Sequence, residues 1–276
     1  MSVFRAYLPP PWPEDASVLR LTDESAHHLR RVMRAAPGQV VELFDGAGNW
    51  AQGAYCPAPA NTPSSPTNTT NTTNTANTAN TANTANTANT AHTHIKVTEA
   101  GYHPPPPCRL HLGLGVSERE RMDYAVQKSS ELGVAVFTPL ASQHGPWQLS
   151  GARAQRRLEH WRAIAIQAVR QSSGYWAPQI RPPQSVSDWA GSAEIQSAER
   201  RVLLDTQPER SLALQTEPVS SAALAIGPKG GWSEQEIKLF AQANFASLQL
   251  GPRVLRTETA PVAALALLQW FWGDWN

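Results

Sequence analysis

"LAIGPKGGWSEQE" (224–236) followed by "LQLGPRVLRTETA" (248–260) decides how this chain is read. In each stretch a short apolar run enters a Gly-rich turn and then a helix. "AALAI" (222–226) has the composition of a buried parallel strand. Gly227 and Pro228 end it, and Gly230 and Gly231 permit positive φ and close approach of backbone N–H groups to a ligand. Ser233 and Glu236 form a capping box, so a helix is expected to about Asn244 with Ile237, Phe240 and Ala241 on its inner face. The second stretch repeats the plan: strand "ASLQLG" (246–251), turn "PRVLR" (252–256), and a helix from about Thr257 with Pro261 in its first turn. Two such units in succession predict adjacent parallel strands whose C-terminal turns lie side by side, where open α/β sheets bind ligands. The spacing around Lys229 does not fit a P-loop. The last helix is apolar nearly all round through "VAALALLQWFW" (262–272), so the sheet, a partner subunit or both must cover it.

Upstream the same periodicities continue. In "ERMDYAVQKSSELGV" (120–134), Met122, Ala125, Val126, Ser129 and Leu132 fall at helical spacing, and Gly133 sits where a left-handed C-cap belongs. "AVFTPL" (135–140) and "RVLLD" (201–205) read as buried strands, and 154–174 reads as a helix with Leu158, Trp161, Ile164, Ala165, Ala168 and Val169 inward. Nearer the start, "TDESAHHLRRVMR" (22–34) predicts a capped helix ending in the basic cluster Arg30, Arg31 and Arg34. Such a cluster, taken alone, reads as a solvated face. The adjacent His27 and His28 point to different faces of a helix and make a poor metal site. "PGQVVELFDGAGNWAQGAYC" (37–56) carries Asp-Gly and Gly-Asn hairpin signals between short strands, which suggests a small β-barrel.

From about 57 to 94 the chain collapses into Asn, Thr, Ala, Ser and Pro, with "NTA" in tandem. Such a segment buries no core, so disorder is expected. Its flanks, "AQGAY" and "IKVTEA", look like strands, so it reads as an expanded hairpin loop. Closure of a long loop costs only roughly 0.6 kcal/mol per doubling of length. "HPPPPC" (103–108) is a stiff linker.

The 276 residues carry a formal net charge of +1 and 41% hydrophobic residues. Two domains are expected, and the near-neutral balance argues against indiscriminate nucleic-acid binding. RNA contact would come from local patches such as Arg30–Arg34 and Arg153–Arg162. No secretory signal and no apolar run of membrane-spanning length is evident, so a cytoplasmic location without membrane association is expected. Cys56 and Cys108 make neither a metal motif nor a disulfide framework, and no metal is expected.

"LGPRVLRTETA" at its distance after "GPKGG", the "KSSELG" of 128–133, and "HHLRRVMRAAPGQVVELFDG" (27–46) together resemble the ribosomal RNA small subunit methyltransferase E family of the SPOUT superfamily. The resemblance implies an α/β fold, with a C-terminal SPOUT-type parallel sheet tied in a trefoil knot and a small N-terminal PUA-like β-barrel. It places an RNA-binding domain at 1–102, with the insertion at about 57–94, and the methyltransferase domain at 103–276. It implies S-adenosylmethionine as cofactor, 16S rRNA of the small ribosomal subunit as partner, a homodimer, and 3-methyluridine as product. Cofactor contacts fall on Ile226, Gly227, Gly230, Gly231, Leu250, Gly251, Val254, Leu255, Thr257 and Thr259. Arg256 is the candidate for stabilising the anion that develops on uracil. Glu258 is the candidate base, or the partner that fixes Arg256, or only a favourable charge at a helix N-terminus. Arg30, Arg31 and Arg34 become RNA contacts.

Two positions depart from the family pattern. Lys229 stands where the family almost always has Glu, and Arg170 stands where it usually has an acidic residue. These departures leave two other functions in play: a ribosome-binding or assembly module that kept the fold with weakened turnover, and a SPOUT enzyme acting on a ribose 2′-hydroxyl.

Overall fold

A computed structural model describes residues 3–13, 16–58, 92–145, 151–206, 211–213 and 217–275. The chain divides into two compact units, Met1–Asp45 with Asn49–Tyr102, and Gly46–Gly48 with His103–Asn276.

The first unit contains β1 (Phe4–Tyr7), β2 (Val18–Arg20), α1 (Asp23–His27), β3 (Val40–Phe44), β4 (Asn49–Cys56) and β5 (His94–Tyr102). Its sheet has the order β1-β3-β4-β5-β2, and every strand sends side chains into one core, among them Ala6, Leu19, Leu43, Tyr55 and Ile95. Alternate residues of β4 are buried, as a strand with one covered face requires. Cys56 lies opposite His94, so the strands flanking the Asn-Thr-Ala insertion are direct neighbours. The insertion from 59 to 91 lies outside the described residues. The expected helix over 22–34 differs from the structure. Thr22 caps α1 by accepting from Ser25 N at 3.2 Å, but α1 stops at His27, and a π-helical turn follows over His28–Val32, closed by Met33 N donating to His28 O at 3.0 Å. The turn seats Leu29 fully in the core while Arg30, Arg31 and Arg34 stay exposed.

The second unit contains β6 (Arg109–Gly115), α2 (Arg119–Glu131), β7 (Val136–Ala141), α3 (Gly151–Gln171), β8 (Gln179–Ile180), β9 (Gln184–Ser185), α4 (Val186–Gly191), α5 (Ala193–Gln196), β10 (Arg200–Leu204), β11 (Ser221–Ile226), α6 (Glu234–Gln242), β12 (Ala246–Leu248) and α7 (Thr259–Trp272). All its strand pairs are parallel, in the order β12-β10-β11-β6-β7-β8, with β9 also on β7. The expectation that the strands of the two Gly-rich stretches are neighbours is therefore corrected. β10 stands between them, with Val202 paired to Leu224 on one side and to Ala246 on the other. The physical reason lies in β10 itself. Val202 and Leu203 point to opposite faces and both are buried, so this strand belongs in the middle of the sheet. The short β12 takes the edge.

β11 is buried on both faces. Ala222, Leu224 and Ile226 join a core with Met122, Val126, Trp161, Leu265 and Leu268, and Ala223 and Ala225 join another with Trp189, Phe240 and Phe245. Helices thus cover the sheet on two sides. α7 buries Ala264, Leu265 and Leu268 completely but leaves Leu267 and Trp270 exposed. The inner face expected for α6 is also corrected: Phe240 is buried, but Ala241 and Ile237 are exposed. The buried Glu236 explains the rotation. Its carboxylate accepts from Ser233 N at 2.8 Å and from Gln143 N at 2.9 Å. That draws the Glu236–Phe240 side of the helix inward and turns Ile237 away.

Candidate active site

At the C-terminal ends of β10, β11 and β12 the turns enclose a cavity of about 740 Å³. That volume lies within the usual range for small-molecule sites, roughly 300–1,000 Å³. Ile226, Leu250, Leu255 and Ala260 give it an apolar wall, and Asp205, Thr206 and Gln249 a polar one. Gln249 is tied back to β10's turn by its Nε2, which donates to Thr206 O at 2.8 Å.

The backbone of two turns faces this space. Gly231 has φ +71 and Gly251 φ +73, and a Cβ added at either would meet nothing within 4 Å. Each takes a conformation that only glycine adopts cheaply, with main chain rather than side chain turned outward. Gly230 is glycine for another reason: a Cβ there would lie 2.8 Å from His144 Cβ. The Gly227–Gly231 turn is closed by Gly231 N donating to Pro228 O at 2.9 Å and runs directly into the capping box of α6. The arrangement fits a nucleoside-type cofactor, with glycine backbone to approach, an apolar wall for a base and polar groups for a sugar.

Of the residues expected to hold a cofactor, Ile226, Gly227, Gly230, Gly231, Leu250, Gly251, Val254, Leu255 and Thr257 line this cavity, and Thr259 does not. Arg256 lines it and is exposed, and among the described residues no acidic side chain pairs with it. Glu258 does not line it. Its Oε2 lies 3.4 Å from Nη1 of Arg121, so its carboxylate is held by Arg121 rather than by Arg256. Arg121 was not singled out from the sequence. It sits in the first turn of α2, lines the cavity, and also holds Glu118 Oε2 at 3.1 Å through Nε. Lys229 Nζ lies 3.9 Å from the other oxygen of Glu118, at the solvent-exposed rim. The hydroxyl of Ser117, first, and then Arg121 and Lys229 hold the Glu118 carboxyl below its ordinary pKa. Arg170 takes no part and hydrogen-bonds to Gln167 on α3. Arg30, Arg31 and Arg34 belong to the first unit. Among the described residues no group of three or more His, Cys, Asp or Glu side chains is placed to hold a metal ion, and no helix is long and apolar enough to cross a membrane.

Residues 104–269 match the RNA methyltransferase domain, and residues 21–55 match the RNA methyltransferase PUA domain. Curated relatives include ribosomal RNA small subunit methyltransferase E of two Buchnera aphidicola strains. The one from Schizaphis graminum is 33% identical over 61% of this chain and 68% of its own length. The one from Acyrthosiphon pisum is 31% identical over 62% and 66%, so the alignments span about two thirds of these relatives. A ribosomal RNA small subunit methyltransferase E from Neisseria gonorrhoeae, solved bound to S-adenosyl methionine, superposes with a TM-score of 0.79 at 26% identity, covering 100% of both chains. A methyltransferase from Legionella pneumophila in complex with bound SAM gives 0.80 at 27%, covering 99% of this chain and 100% of that one. The chain belongs to the ribosomal RNA small subunit methyltransferase E family of RNA methyltransferases.

Proposed function

We propose that this chain transfers a methyl group from S-adenosylmethionine to N3 of a uridine in 16S rRNA of the small ribosomal subunit. The observation that carries the reading is the cavity at three strand ends, where the backbone of Gly231 and Gly251 faces the same space as Arg256, a cation with no acidic partner among the described residues. The glycine turns and the wall of Ile226, Leu250 and Leu255 hold the cofactor, which supplies an electrophilic methyl when bound. Uridine N3 is a weak nucleophile until its proton leaves. Arg256 then stabilises the negative charge that spreads onto the uracil oxygens, a role for which its freedom from acidic partners suits it. Thr257, buried at the end of the same turn, contributes a hydroxyl to the cofactor. Arg121 anchors the Glu258 side chain at the start of α7.

The first unit serves as the PUA-like RNA-binding domain, with Arg30, Arg31 and Arg34 on its exposed π-helical turn as phosphate contacts. The crossing from β11 over β10 to β12 supports the trefoil knot that the family resemblance implies. The exposed Leu267 and Trp270 of α7 support a homodimer that covers this helix. The test is to incubate purified protein with isotopically labelled S-adenosylmethionine and small subunits lacking the modification, and to digest the rRNA for nucleoside mass spectrometry. Labelled 3-methyluridine is the expected product. A label on ribose, or none, overturns the reading.

A further inference from the structure

Removing the proton from uridine N3 requires a base, and the arrangement around Glu258 argues against that residue. It does not line the cavity, and its carboxylate is engaged by Arg121. Glu118 is a weaker base than an ordinary carboxylate, since Ser117, Arg121 and Lys229 all stabilise its ionised form. A third group stands beside the Gly-rich turn. His144 follows β7 and lines a second cavity of about 520 Å³ with Ser117, Glu118, Gly145, Lys229 and Gly230. Lys229 and Gly230 also line the cofactor cavity, so the two spaces adjoin at this turn.

His144 is mounted on that turn. Its Nδ1 lies 3.2 Å from Gly230 O. A carbonyl oxygen can only accept, so Nδ1 carries the hydrogen, and in the neutral ring Nε2 is left with its lone pair. The absence of a side chain at Gly230 is what permits this approach, because a Cβ there would lie 2.8 Å from His144 Cβ. A backbone contact that fixes one ring nitrogen and leaves the other free is the arrangement a general base needs. Among the described residues, the charged groups near it are Glu118 and Lys229, which line the same cavity, and Glu236 on α6, whose carboxylate holds the backbone of Gln143; Arg121 on α2 reaches it only through Glu118.

We propose that His144 is the general base, and that the cavity it lines receives the target uracil; the inference rests on the uridine-N3 reading above. Nε2 takes the N3 proton. The N3 electron pair forms the new N–CH3 bond as the S–CH3 bond breaks. Sulfur keeps that bonding pair as S-adenosylhomocysteine, and the imidazolium passes its proton to water.

The experiment compares wild type with His144→Gln and His144→Ala. Gln retains a donor for Gly230 O but cannot take the proton, so it separates support of the turn from proton transfer. Both variants are expected to lower kcat on small subunits by about 10²–10⁴-fold at neutral pH. Any acid limb in the wild-type kcat/KM profile should be absent from both variants. S-adenosylhomocysteine affinity should stay within about twofold for His144→Gln, and added imidazole should restore part of the rate of His144→Ala. If wild type makes no 3-methyluridine, the reading of the function fails. If wild type makes it and His144→Gln keeps both the rate and the acid limb, only the assignment of His144 fails. Should His144→Ala not fold, His144→Gln decides the matter alone.

Discussion

The turn after β11 and the turn after β12 line one cavity and are built in opposite ways. The first is held at every step. Gly231 N bonds Pro228 O, Gly230 O receives His144, and Ser233 and Glu236 cap each other while Glu236 reaches to Gln143. The second is held mainly at its ends. Gln249 anchors its start, Arg256 O accepts from Thr259 N and Ala260 N at its finish, and Val254 between them is 79% exposed. A fixed cradle thus faces a segment that carries the exposed Arg256. On the proposed reading, rigid backbone orients one ligand and the looser turn delivers charge to the other.

If the second turn supplies charge and the first supplies shape, Arg256→Ala should cost about 10²–10³-fold in kcat. Cofactor affinity should stay nearly unchanged. Methyl-transfer kinetics beside titration calorimetry check this, and a loss confined to affinity would reverse the assignment of the two turns.

The first turn itself separates into a ligand-facing and a protein-facing glycine. Gly231→Ala should weaken S-adenosylmethionine binding by about tenfold or more, since its Cβ would enter the cavity, and its positive φ adds strain of about 1–3 kcal/mol. Gly230→Ala should instead act mainly on stability, because its Cβ meets His144, and overpacking of that kind costs about 1–3 kcal/mol. Binding and thermal melting of both variants sharpen the contrast. Equal effects on affinity would dissolve it.

These distinctions were legible in the chain to different degrees. The capping box was readable because Ser233 and Glu236 interact within one helical turn, and the strand of 222–226 because it is a short apolar run between turn residues. The place of β10 was not, since strand order is a property of pairings that local pattern does not encode. Ile237 was assigned to the wrong face because periodicity cannot register the bond from Gln143 that draws Glu236 inward, from 93 residues away. Arg121 escaped notice for the same reason: its partner Glu258 lies 137 residues further on. The two glycine turns and Arg256 were recognised through the family resemblance rather than through any physical signal strong enough alone.

Strand β6 offers the same kind of contrast along its length. Gly115 packs under the turn after β11, where a Cβ would lie 2.5 Å from Pro228, while nearer the other end His111 is buried beside Glu194. Burial, above all, lowers the His111 pKa to about 4; the Glu194 carboxylate opposes this, and Arg109 and Arg181 add to it. The native state therefore keeps His111 neutral while an unfolded chain protonates it near pH 6.5. Stability from this residue is fully present above that value and declines as pH falls toward 4. Melting temperatures across this range should fall on acidification, and His111→Gln should flatten the decline without altering cofactor affinity.

The smallest effect is expected at Lys229. Its contact with Glu118 is long and exposed, so Lys229→Glu should leave the melting temperature unchanged and cofactor affinity equal or improved. A large loss would mean that Lys229, which lines the cavity, has a binding role of its own.

The account rests most directly on the claim that the ends of β10, β11 and β12 form the cofactor site. Hydrogen exchange of the full chain with and without S-adenosylmethionine measures it. Added protection should concentrate at residues 226–231 and 249–257, with the larger gain in the second segment, whose backbone is less constrained without ligand. Protection elsewhere, or saturable binding that leaves both segments unchanged, would contradict it.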